Sequence, residues 1–167
     1  MTDPVLALAD FTADWLTDCL ARAGIEARVT QFSAKPIGTG QVGATYRLTL
    51  DYDPALPAGP ATLVAKLPSN DALSRATGKT HMTYIRESRF YQLFAGKRPM
   101  AVPDHLYIAF DDDSHDFTLL MHDLPNHVPG NQLAVPSLEE AQWAMDAAAS
   151  IHAAWWADPV LDTYDWL

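Results

Sequence analysis

Gly38-Thr39-Gly40-Gln41-Val42-Gly43 has extended sequence on both sides, and that placement constrains the fold more than any other feature of the chain. Val29 to Ile37 runs into the loop as a mixed, extended stretch. Thr45 to Leu50 leaves it with alternating, strand-forming residues. Glycines let backbone N–H groups come close to an anion and tolerate unusual backbone angles. The dinucleotide-binding form of G-x-G-x-x-G needs a helix directly after the glycines, and here a strand follows. A P-loop needs G-K-[ST], which the sequence lacks. Two readings remain: a loop that covers phosphates between antiparallel strands, and an ordinary glycine-rich hairpin.

The rest of the chain reads as α+β. Leu16, Cys19, Leu20 and Ala23 recur at helical spacing after a cap at Thr12, and Gly24 ends the run. Asp53 to Pro60 is a turn region, and Ala61 to Leu67 a short apolar strand. Strand, glycine loop, strand, turn and strand make an antiparallel meander. Asn70 to Gly78 reads as a short helix or a mobile loop, and Thr80 to Ala95 as a stronger helix. Pro103 to Phe110 and Phe117 to Met121 add two strands around a solvated Asp111-Asp112-Asp113 turn. Residues 125–136 read as a linker. A last helix is expected from a cap at Ser137, with Glu140 at the capping-box position, to about Trp156. His152, Trp155 and Trp156 lie there with Met145, Ala148 and Ile151, and core packing against a larger lobe, not a ligand site, is the reading.

Lys66 and Glu87 sharpen the picture. Lys66 lies among Val64, Ala65 and Leu67 on a strand that reads as buried, where a lysine is costly unless paired. The alternative is an edge-strand lysine whose head reaches water. On the next helix Tyr84, Glu87, Tyr91 and Phe94 are spaced three, four and three apart and share a face. A carboxylate on that apolar stripe needs a cation, and Lys66 is the economical partner. The alternatives are Arg86, Arg89 or solvent. In kinases a strand lysine holds the α- and β-phosphates, and a helix glutamate holds the lysine.

Composition narrows the classes. The 167 residues carry 11 basic and 21 acidic side chains, for a net charge of −10. That argues against a nucleic-acid or anionic-membrane binder. An apolar content of 49% is ample for a core. Cys19 is the single cysteine, so an internal disulfide and a cysteine-rich zinc site are ruled out, and it reads as a packed residue. No basic leader and no long apolar run is present, so a cytoplasmic protein is expected, with no nucleic-acid or membrane partner.

Several segments, in order, resemble the ecdysteroid-kinase-like branch of the aminoglycoside phosphotransferase superfamily. They are Ile37 to Gly43, Thr62-Leu63-Val64-Ala65-Lys66, Ser74 to Gly78, Glu87-Ser88-Arg89-Phe90-Tyr91, Leu119 to Leu124 and Ile151 to Trp156. The similarity runs from about Lys35 to the C-terminus. It implies a protein-kinase-like N-terminal lobe over residues 1–120, an antiparallel five-stranded sheet plus a helix. A hinge and linker at 121–136 and the first helix of a larger lobe at 137–167 would follow. It also implies ATP and Mg2+ as cofactors, and transfer of the γ-phosphate to a small-molecule alcohol. Gly38, Thr39, Gly40, Gln41, Val42 and Gly43 would cover the phosphates. Lys66 would contact them, Glu87 would orient Lys66, and Met121, His122, Asp123 and Leu124 would read adenine through the backbone. His122 stands where the family often has an acidic residue, a change that backbone contacts tolerate.

The family's catalytic loop, H-x-D-x-x-x-x-N, and its later metal-binding aspartate do not occur up to Leu167. His122-Asp123-Leu124-Pro125-Asn126 has the residue types but the wrong spacing, and His115-Asp116-Phe117 lacks the glycine of D-F-G. The expectation is the ATP-binding part of a small-molecule kinase, truncated before its catalytic groups and metal ligands. The alternative is a non-catalytic nucleotide- or partner-binding module, or a remnant. With the larger lobe missing, Trp155, Trp156 and Trp166 are expected to form an exposed patch that promotes self-association.

Overall fold

The structure is a computed structural model that describes residues 3–38, 40–98, 102–128, 130–131 and 133–167. The meander forms as the alternation requires. Strand β1 (Val29–Pro36) pairs antiparallel with β2 (Gly43–Tyr52), and β2 with β3 (Thr62–Pro68). Two further strands, β4 (His105–Phe110) and β5 (Phe117–His122), form a hairpin, and β5 inserts beside β3. The order β1-β2-β3-β5-β4 makes β3 the middle of a five-stranded antiparallel sheet. The chain is thus α+β, as expected.

Because side chains alternate across a strand, β3 supplies both faces. Leu63, Ala65 and Leu67 join Leu48, Leu50, Leu120 and Tyr107 on one face. Helix α1 (Ala13–Arg22) covers that face with Leu16, Cys19 and Leu20, each at most 1% exposed. Full burial of each such leucine contributes about 1.5–3 kcal/mol. The helix starts where Thr12 Oγ1 accepts the Trp15 N–H at 3.0 Å and stops before Gly24, whose φ is +78°. Burial pushes the Cys19 thiol up to about 12, so it packs as an inert residue.

On the opposite face, Val64, Leu119 and Met121 cluster with Tyr84 and Tyr91 of a helix, α3 (Thr83–Leu93). The segment before it, left open between helix and loop, is helix α2 (Ala72–Thr80), capped by Asp71. The helix expected from Thr80 therefore starts three residues later. Met82 breaks the path in the left-handed region at φ +56°, and α2 folds back onto α3. Gly78 of α2 lies so close to the Tyr84 ring that an added Cβ would stand 2.6 Å from it.

Two outer segments complete the structure. Residues 4–7 strap across the sheet. Leu6 N–H donates to Thr118 Oγ1 at 2.7 Å, and that hydroxyl donates back to the Leu6 carbonyl at 2.8 Å. Helix α4 (Leu138–Trp155) begins with the expected capping box between Ser137 and Glu140. It buries none of its residues, so the expected core packing is not made among the described residues: Leu138 is 88% and Met145 63% exposed. The expected tryptophan patch needs correction too. Ala157, at φ +50°, turns the chain into a 3-10 helix, Pro159–Thr163, and the tail folds back under α3. Trp166 is consequently buried beside Phe94, and Trp155 half-buried against the same ring, while Trp156 stays exposed. Among the described residues no helix is long and apolar enough to cross a membrane.

Thr118 is fully buried with both of its hydroxyl bonds made to the strap. Thr118→Val leaves the Leu6 N–H and carbonyl without that partner, and we expect a loss of about 1–3 kcal/mol in urea unfolding. Faster proteolysis within residues 3–10 should accompany it.

Candidate functional site

The hairpin base is closed by Ile37 N–H donating to the Thr45 carbonyl at 2.9 Å. Above it, Gly38 takes φ +77°, a backbone state that a side chain would strain. Gly40, Gln41, Val42 and Gly43 then line a cleft of about 180 Å³ whose other walls include Lys66, Glu87, Tyr84 and Phe117. Thr39, expected in the same loop, lies outside the described residues.

Lys66 sits in register with Thr45 on β2 and Leu119 on β5, so it has a strand on either side. The edge-strand alternative is thereby excluded. Its Nζ forms an ion pair with Glu87 Oε1, and both side chains are part-buried at 31% and 25% exposed. The other partners considered for Glu87 are engaged elsewhere. Arg86 reaches the Trp166 carbonyl at 3.4 Å, and Arg89 pairs with Asp112 at 2.7 Å. Tyr84 and Tyr91 are buried on the same helix face, so the stripe that Glu87 interrupts is real. Removing either partner would leave a half-desolvated charge, which costs far more than the pair contributes net.

The residues expected to act as a hinge, Met121 to Leu124, fall at the end of β5, away from the lining of this cleft. Met121 is buried in the cluster beside Val64. His122 N–H donates to the Asp104 carbonyl at 2.9 Å, and Leu124 N–H to Asp123 Oδ1 at 2.9 Å. Asp123 itself turns onto the sheet. Arg47 holds it with two prongs, at 2.7 and 3.2 Å, and Thr62 donates to it at 2.7 Å. Burial pushes its carboxyl up, but the Arg47 and Thr62 hydrogen bonds outweigh that and keep it below the ordinary 3.8. Asp123 therefore anchors the exit from β5. Asp116 is likewise engaged, with Arg75 and, at 3.5 Å, with Lys79. Among the described residues no group of three His, Cys, Asp or Glu side chains converges as a metal site.

The arrangement offers an anion one ammonium, oriented by a carboxylate, under a glycine-rich backbone. Sequence reasoning placed Tyr84 on the right face but missed its part in the cleft, and it missed Phe117 entirely. The signal for Tyr84 was its position three residues before Glu87, which puts both side chains on one helix stripe. Neither a protein-family model nor a curated protein matches the chain.

A carboxyl with a lowered folded pKa adds stability above its unfolded pKa and loses it as pH falls through the folded value. Asp123 should thus stabilise fully above about pH 4 and progressively less below it. Asp123→Asn should lose about 1–3 kcal/mol at pH 7. It should also flatten the acid limb of a stability–pH curve measured by urea unfolding.

Proposed function

We propose that this chain holds the phosphates of ATP between the glycine loop and Lys66, in the manner of the aminoglycoside-phosphotransferase-like kinases that its sequence resembles. The observation that carries the reading is the ion pair of Lys66 and Glu87, made on the middle strand and facing the loop. A glycine loop alone fits a plain hairpin, and a lone lysine fits a satisfied surface residue. The pair beneath the loop fits a phosphate clamp. Lys66 would contact the α- and β-phosphates, Glu87 would hold the ammonium in place, and the loop backbone would close over the charge. Adenine would extend toward the backbone of Met121 to Leu124.

The cleft is sized for phosphate groups and not for a whole nucleotide, since ligand pockets usually span about 300–1,000 Å³. Among the described residues, the groups around it do not make a Mg2+ site. Its one carboxylate, Glu87, already faces Lys66. Phosphoryl transfer to a small-molecule alcohol would accordingly belong to a protein that adds a base and metal ligands to this lobe. The second reading is a nucleotide-binding module without turnover, and the Lys66–Glu87 pair serves both. The two share the cleft and differ only in whether phosphate is transferred.

Calorimetric titration with ATP tests the reading. Lys66→Ala should weaken ATP binding by about 10–100-fold, the loss of one charge-assisted contact. Glu87→Gln should weaken it less, because the ammonium stays but loses its tether. Equal affinity in wild type and Lys66→Ala would refute the clamp.

We also propose self-association through α4, where Leu138, Trp143 and Met145 are more than half exposed, and through Trp156 beyond its end. Sedimentation velocity should show a concentration-dependent shift that Trp143→Ser together with Trp156→Ser abolishes. A wild-type monomer at all concentrations would contradict it.

A further inference from the structure

We infer that Tyr84 is a positioning residue that sets the glycine loop at its working height above Lys66. The inference rests on the phosphate-clamp reading and adds a part to it. Tyr84 is 1% exposed, yet its hydroxyl reaches two backbone segments. It donates to the carbonyl of Val42, inside the loop, and accepts the N–H of Ser69 at 3.2 Å, just past the end of β3. One phenol oxygen therefore joins the loop, the strand that carries Lys66 and the helix that carries Glu87.

The ring is fixed as firmly as the hydroxyl. Gly78 leaves no room on one side, and Phe117 packs against it with ring centroids 5.2 Å apart. Glu87 follows three residues later on the same face of α3. Loop height and carboxylate position are thus two readouts of one rigid helix. The bond to Val42 also has an electrostatic consequence. Val42 lines the cleft, and the phenol proton engages a lone pair of its carbonyl oxygen, which lessens that oxygen's repulsion of a phosphate. A phenylalanine would keep the packing and leave the carbonyl unpaired beside the anion.

The decisive experiment compares wild type with Tyr84→Phe. It measures backbone nitrogen-15 relaxation of the loop without ligand, then titrates ATP and adenosine. Tyr84→Phe should lower the order parameters of residues 40–43 from the rigid range of about 0.85 to below about 0.6. ATP affinity should fall about five- to tenfold, while adenosine, which lacks phosphates, should bind as before. Gly78→Ala should reproduce the pattern from a position outside the cleft, because its methyl displaces the ring. Alanine is otherwise the better helix former, by about 1 kcal/mol. If the added methyl unfolds the chain, Tyr84→Phe decides alone. Unchanged loop order parameters in Tyr84→Phe overturn the inference whatever happens to ATP. Equal losses for ATP and adenosine also overturn it, since general loosening would then be the cause. A wild type that binds no ATP defeats the phosphate-clamp reading, and the tether is then decided by the relaxation data.

Discussion

A charged side chain on the middle strand of a five-stranded sheet has nowhere to go but up, and Lys66 is that side chain. Strands on both sides keep its stem from curling around an edge into water. Its ammonium must meet a carboxylate brought by whatever packs on that face. Helix α3 brings Glu87, and its rotation is fixed by Tyr84 and Tyr91 seated in the apolar cluster beneath. The same rotation presents the Tyr84 hydroxyl to the loop. Much of the architecture on this face can be understood as the accommodation of a single cation.

Energy alone does not favour such an arrangement. An ion pair taken part-way out of water does little for stability, and apolar residues of equal volume usually serve as well. What the pair supplies is a fixed position for a positive charge. It does so in a chain with a net charge of −10, where the overall field opposes an incoming anion. The pair is itself neutral in sum. Phosphate binding, as proposed, would therefore draw on the loop backbone as much as on Lys66, which makes the set of the loop matter. Arg47, Arg75, Arg89 and Arg98, by contrast, spend their charge on Asp123, Asp116, Asp112 and Asp158 and brace the fold.

What was legible in the sequence was local or periodic. Thr12 and the Ser137–Glu140 box mark helix starts because a cap is written within four residues. The alternation in Thr45 to Leu50 gives a strand for the same reason. Lys66 and Glu87 were legible as anomalies, charges that interrupt apolar patterns. Strand order was not legible, because nothing near β5 states that it pairs with β3, and only that pairing rules out an edge position for Lys66. The break at Met82 was hidden because both flanking stretches favour helix, and the fold-back is decided by Gly78 meeting a ring six residues later. Helix α4 misled in the opposite sense. Its apolar content reads as a core helix, yet its partner surface is not supplied by these elements. Trp166 was unreadable because its burial depends on a turn at Ala157 in a left-handed state that alanine seldom adopts.

The central claim is that the cleft beneath the glycine loop engages phosphate, and phosphorus NMR of ATP titrated with this chain tests it most directly. The account predicts that the α- and β-phosphorus resonances shift and broaden on addition of wild type, and that Lys66→Ala removes the effect. Phosphorus resonances that stay unmoved while the adenine protons broaden would place the nucleotide elsewhere and contradict it.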